Sequence, residues 1–178
     1  MDSSAPIPLP KAQAIAEKIA AALTPYCTRL EIAGSIRRRR PFCGDIDLVA
    51  EPRHGQKQAL LTRCTQHATL LQGQDINFIY RLKDGTQLDL FLATPPEQDM
   101  FERKPGNWGT LFLCRTGSKQ HNIYIVETAK RNGMRWNPYH GLYRAKCLGP
   151  THWIAGETEE SIFTALGLDF IPPEKRER

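Results

Sequence analysis

No run of about 18 apolar residues occurs in this 178-residue chain, so nothing in it reads as a membrane span. Met1 to Pro10 lacks the basic start and apolar stretch of a secretory signal, and the protein is expected not to be secreted. Its five cysteines (Cys27, Cys43, Cys64, Cys114, Cys147) are odd in number and form no C-x-x-C, which argues against a disulfide framework. The expectation is reduced thiols that mostly pack, in a cytoplasmic compartment or wherever the polyanion partner is. Its five histidines have no zinc-ligand spacing and are given no metal. There is no internal repeat and no low-complexity segment. What remains is ordinary globular composition, 40% hydrophobic and 24% charged, with a net charge of +5 that favours polyanions only modestly.

What is present starts at Gly34-Ser35 and runs through Arg37-Arg38-Arg39-Arg40 to Gly44-Asp45-Ile46-Asp47. A strand alternates its faces with period two. Over Asp45 to Ala50 that rule puts Asp45 and Asp47 on one side and Ile46 and Leu48 on the other. A third carboxylate, Asp89, sits inside Thr86 to Leu92, where Leu88, Leu90 and Leu92 share the opposite face. Neighbouring strands would pack their aliphatic faces on helices and bring Asp45, Asp47 and Asp89 together on the open face. An aspartate inside a strong strand pattern is disfavoured unless something uses it.

Three carboxylates suit a pair of Mg²⁺ ions, with Mn²⁺ as a substitute, because Mg²⁺ takes a few carboxylates plus substrate phosphates rather than a full protein cage. Two such ions roughly 3.5–4 Å apart stabilise both the attacking and the leaving oxygens of a nucleotidyl transfer. Asp45 and Asp47 are expected to bridge both ions. Asp89 is expected to ligate one and to take the proton of the attacking hydroxyl. Backbone amides around Gly34-Ser35 and Gly44, with the Ser35 hydroxyl, suit the β and γ phosphates. Arg38 and Arg37 suit the triphosphate through charge-assisted bonds. Alone, an Asp-x-Asp or an arginine run is an ordinary surface feature; it is the combination that points to a nucleotidyltransferase.

Local patterns supply the rest. The 3.6 period predicts helices over Lys11 to Leu23 and Gln56 to Leu71. Leu30 to Ala33 reads as a short strand broken by a Gly34-Ser35 turn. Ile76 to Leu82 and Thr86 to Leu92 read as a hairpin around Asp84-Gly85. Pro95 to Asp99 is a composition break, and the chain is divided into domains 1–104 and 105–178. The second is expected to be mostly helical, with helices over Asn107 to Arg115 and from an N-cap Ser118 to Asn132, ended by Gly133. A small β element spans Met134 to Arg144, a last helix is capped by Thr158 and ended by Gly167, and the tail over Ile171 to Glu174 is extended. Trp108, Trp136 and Tyr143 are read as core. The fold class is α+β: a mixed or antiparallel sheet with helices on one face, then a small, mostly helical subdomain with a short β element.

These residues resemble the family X DNA polymerases of the nucleotidyltransferase superfamily. Gly34-Ser35, Arg37-Arg38, Gly44 and Asp45-Ile46-Asp47 are similar to the family's palm motif, and Asp89 to its third metal-binding aspartate. Thr116-Gly117-Ser118 is similar to the family's turn beside the nucleotide sugar and base. Asn122 is similar to its asparagine at the minor-groove edge, and Glu157 to Arg176 to its C-terminal segment. The resemblance implies a palm over 1–104 and a nucleotide- and DNA-binding subdomain over 105–178. It implies a monomer that takes dNTP and gapped or primer–template DNA for short-gap repair. It also implies that the lyase and helix-hairpin-helix domains of larger members are absent. Cys114-Arg115 stand where the best-known member has an aromatic pair, Val126 where it has an arginine, and Gln87 where an arginine is usual. Arg115, Lys119 and His121 are candidate DNA contacts. Two other readings stay open: transfer to an untemplated 3′ end, RNA or a small molecule, and a non-catalytic nucleic-acid-binding module.

Overall fold

The computed structural model describes residues 6–98, 103–145 and 152–177, so Cys147 and Asp99 lie outside the described residues. The chain packs as two units, Met1–Leu92 and Ala93–Arg178. The division falls before the 104/105 boundary expected from composition. Thr94 is already tied into the second unit: its amide donates to Asn107 Oδ1 at 2.7 Å, and its carbonyl accepts from the Asn107 amide at 3.1 Å.

The first unit runs β1 (Ile7–Pro8), α1 (Leu9–Leu23), β2 (Cys27–Ile32), α2 (Gly34–Arg37), β3 (Phe42–Cys43), β4 (Ile46–Pro52), α3 (Lys57–His67), β5 (Ala68–Gln74), β6 (Asn77–Leu82) and β7 (Gln87–Leu92). Five strands form a mixed sheet in the order β2-β4-β7-β6-β5. Only β4 and β7 pair in parallel, which requires the long crossover through α3 and the β5–β6 hairpin. The aliphatic faces meet the helices as expected. Ile46, Leu48, Leu88, Leu90 and Leu92 are buried in one core with Ala12, Ala16 and Leu23 of α1 and Leu60 and Cys64 of α3.

Three local expectations are corrected by the fold. The first helix, α1, starts at Leu9 rather than Lys11, with β1 before it paired to β3. The Gly34-Ser35 break is a single helical turn, α2. The second helix stops at His67 rather than Leu71, and residues 68–74 form the edge strand β5. Nearly all of β5 is exposed, so it carries no alternation to read, and its pairing to β6 decides its conformation.

The second unit runs β8 (Glu97–Gln98), β9 (Arg103–Lys104), α4 (Trp108–Thr116), α5 (Lys119–Arg131), β10 (Met134–Asn137), β11 (Gly141–Arg144), β12 (Trp153–Ala155) and α6 (Glu159–Ala165). Its short β element is larger than expected, because β12 joins β10 and β11 in a three-stranded sheet. Ser118 caps α5 by accepting from the His121 amide at 3.3 Å, and Thr158 caps α6 by accepting from Ser161 at 3.1 Å. Leu113, Ile125, Leu142, Ile162 and Phe163 form its core. The tail is not merely extended: Pro173–Lys175 makes a 3₁₀ turn and Arg176 behind it is fully buried. The four described cysteines are free thiols, three of them buried. Among the described residues, no helix is long and apolar enough to cross a membrane.

Candidate metal and nucleotide site

Asp47 on β4 stands in register with Asp89 on the parallel neighbour β7. Asp45 lies just before β4 begins, on the loop that leaves β3. Each of the three offers a carboxylate oxygen, and these oxygens all lie within 4.8 Å of one another. The two-strand convergence expected from face alternation is therefore present, with Asp45 reaching it from the loop rather than from the strand.

The turn before the arginines is built around Asp47. The Ala33 amide donates to the Asp47 carbonyl at 2.9 Å, and the backbone amides of Arg37 and Arg38 donate to the Ala33 and Gly34 carbonyls at 3.2 Å each. Gly34 takes a φ of +59°, and a Cβ built there would overlap the Asp47 carboxylate. Glycine is thus required twice, by the backbone and by the close approach of the carboxylate. Ser35 Oγ is buried in this turn with no hydrogen-bond partner. Gly44 has open space where a Cβ would stand.

The electrostatics suit a cation. Burial pushes the Asp45 carboxyl above the usual carboxylate range, and the Arg38 guanidinium and its own backbone amide pull it back in part. A divalent ion would offset the desolvation that raises it. The donor set is three half-buried carboxylates, oxygen only, which fits hard Mg²⁺ or Mn²⁺ rather than zinc.

Gln87 has a larger role than its motif position suggests. Its Nε2 donates to Asp89 Oδ1 at 2.8 Å and so orients that carboxylate. The sequence carries a signal for this, since residues two apart on a strand share a face.

In the second unit, Gly117 has a φ of +70° and is followed by a cis peptide to Ser118. Asn122 Nδ2 donates to the Cys114 carbonyl at 2.8 Å. Arg115 is half-buried; its Nη2 donates to the Tyr139 hydroxyl at 2.7 Å and its guanidinium lies 5.9 Å from that ring's centroid. Lys119 is exposed at the start of α5. Thr116 and His121 are fully buried. The expectation of His121 as a DNA contact is corrected: its ring is buried and packs 5.9 Å from Phe163 and 6.4 Å from Tyr124. Trp108 is buried and Trp136 packs against the second core, while Tyr143 is half-buried.

With this geometry in view, residues 111–177 match the family model of the DNA polymerase beta thumb. The chain resembles the family X DNA polymerases. Among curated relatives, it is 28% identical over 148 residues to DNA polymerase/3′-5′ exonuclease PolX of Bacillus subtilis (strain 168). That match covers 82% of this chain and 24% of the relative, so the chain spans about a quarter of that protein. In fold, the chain is also similar to solved structures of Leishmania infantum polymerase beta. The ternary P/T complex matches with a TM-score of 0.78 at 17% identity, over 99% of this chain and 78% of that one. The ternary gap complex matches with a TM-score of 0.79 at 17% identity, over 99% and 72%. At that identity the structural likeness is one of fold.

Proposed function

We propose that this chain is a Mg²⁺-dependent nucleotidyltransferase of the family X kind, adding dNMP from dNTP to a primer 3′-hydroxyl on primer–template or short-gapped DNA. The observation that carries the proposal is the meeting of Asp45, Asp47 and Asp89 within 4.8 Å on the sheet of a polymerase beta-like fold. Mg²⁺ held there would neutralise charge on the α-phosphate and pyrophosphate and make the primer hydroxyl more acidic.

The chain's own residues have distinct tasks in this scheme. Asp45 and Asp47 hold the metal-binding edge, with Asp47 kept in place by the Gly34 backbone packed against it. Asp89 receives the hydroxyl proton on its carboxylate, whose Oδ1 is oriented by Gln87 Nε2. The backbone of α2, the Ser35 hydroxyl and the Gly44 amide bind the outer phosphates, and Arg37 and Arg38 add charge to that grip. In the second unit, the Thr116-Gly117-Ser118 turn and Asn122 are the proposed contacts to sugar and base, and Lys119 and Arg115 the proposed contacts to DNA. Gap-filling repair is the proposed setting.

The test is primer extension on recessed and gapped duplexes with dNTP and Mg²⁺, comparing wild type with Asp45→Ala and running rNTP in parallel. Template-directed dNMP addition by the wild type alone is expected. No incorporation on any duplex would refute the proposal, and addition that ignores the template would transfer the site to another acceptor.

A further inference from the structure

Arg176 is the largest side chain that the described residues bury completely. Burying a guanidinium is costly unless every face of it is answered, and here many are. Nη1 donates to Glu159 Oε1 at 2.7 Å, and Nε donates to the Ile171 carbonyl at 2.8 Å. The plane lies 5.5 Å from the Phe163 ring centroid and 5.4 Å from that of Phe170. The side chain thus ties the tail to the first residue of α6. Its backbone does something different: the Arg176 carbonyl accepts from the Ser118 hydroxyl at 2.6 Å.

That bond settles the polarity of Ser118. A serine hydroxyl has one proton to donate in a hydrogen bond, and Ser118 donates it to the Arg176 carbonyl. Oγ is then an acceptor toward everything else, which is how it meets the His121 amide and caps α5. In this arrangement Ser118 has no hydroxyl proton to offer a ligand. Its contribution to the turn is the placement of the backbone, from Gly117 into the first turn of α5.

We propose that Arg176 is a positioning residue for the Thr116-Gly117-Ser118 turn. Its carbonyl, immobilised by the buried guanidinium, accepts the Ser118 hydrogen bond and so fixes the α5 cap and the backbone proposed to meet the sugar and base of the nucleotide. This rests on the reading of that turn as a nucleotide contact. Glu159 serves the same end one step further out, as the anchor of the guanidinium.

The experiment uses the full chain with Ser118→Ala, Arg176→Lys, and the pair Arg176→Met with Glu159→Gln. The pair removes both charges together and leaves no unpaired buried ion. Hydrogen–deuterium exchange is read at residues 117–122 and at residues 126–131 of the same helix. Steady-state kinetics with dNTP are read on a recessed duplex. The pair is expected to speed exchange about tenfold at 117–122 with little change at 126–131, and to raise KM for dNTP by a factor on the order of ten with kcat within about threefold. Ser118→Ala should reproduce the KM effect with the ion pair intact, and Arg176→Lys should recover part of it. Exchange that rises evenly along α5, or stays unchanged in the pair, would overturn the proposal, as would an unaltered KM in an active enzyme. A wild type that neither binds nor incorporates dNTP would overturn the nucleotide reading instead, while the exchange pattern would still decide whether the clamp exists.

Discussion

Gly34→Ala puts the smallest possible probe against the acidic site. The new Cβ would stand 2.7 Å from Asp47 Cγ and 3.0 Å from Asp47 Cβ. Carbon–carbon contacts sit at about 3.5–4.0 Å and Asp47 Oδ2 overlaps the new Cβ outright, so the carboxylate must retreat by at least about 1 Å. A misplacement of that size at a reacting centre costs on the order of 10²-fold in rate. The backbone adds a second cost, because a φ of +59° disfavours any residue with a Cβ by about 1–2 kcal/mol. Gly55→Ala separates the two effects. Gly55 also has a positive φ, +72°, but nothing lies within 4 Å of where its Cβ would be. Primer extension under saturating Mg²⁺, with urea unfolding of each variant, is the assay. Both variants should lose about 1–2 kcal/mol to the backbone, Gly34→Ala should lose more because its Cβ also overlaps Asp47, and only Gly34→Ala should lose about two orders of magnitude in rate. Full activity in Gly34→Ala would mean that Asp47 does not need to be where the fold holds it, and the proposed role of the turn would fall.

Gln87→Leu removes the bond to Asp89 Oδ1 and should lower kcat by about tenfold or less, the worth of one hydrogen bond, with stability nearly unchanged in a urea melt. Gly109→Ala should destabilise the second unit by about 3 kcal/mol, because the added Cβ would overlap the Thr158 backbone at the head of α6; a melting curve of the variant checks it. Stability should also fall in alkali. Burial pushes the Cys27 thiol up to about 11 and the Cys64 thiol up to about 12, and raises Tyr80 as well. Groups whose folded pKa lies above the unfolded value stabilise fully below the unfolded value and lose that contribution as pH rises through the folded one. Urea midpoints should therefore hold to about pH 8.5, the ordinary thiol value, and fall steadily above it. A flat profile to about pH 11 would contradict the burial of these groups.

Two members of the acidic cluster, Asp47 and Asp89, are legible in the sequence through two short-range facts, strand alternation and the opposition of aspartate to leucine along one strand, while Asp45 comes in from the loop before β4. Neither needs to know which strands pair, and the fold adds the parallel register of Asp47 with Asp89. Elements decided by tertiary contact are not legible. β5 continues a helix-like period up to Ala68 and becomes a strand only through β6. β12 is three residues long and joins its sheet only at β11. Arg176 and His121 look like surface residues in a sequence, because arginine and histidine are seldom fully buried. Their burial comes from rings supplied by α6 and the segment after it. Alternation puts Gln87 on the same face as Asp89, but the bond between them depends on side-chain geometry that no pattern encodes.

If Asp45, Asp47 and Asp89 together hold a divalent ion, Mn²⁺ binding should reveal it without any substrate. Mn²⁺ titration of the chain, followed by electron paramagnetic resonance, is the direct measurement, with Asp45→Asn and Asp47→Asn removing charge while keeping shape. Saturable binding by the wild type is expected, weakened more than about tenfold in either variant, the loss expected when a carboxylate ligand becomes an amide. Equal binding by all three proteins would mean that the cluster holds no ion.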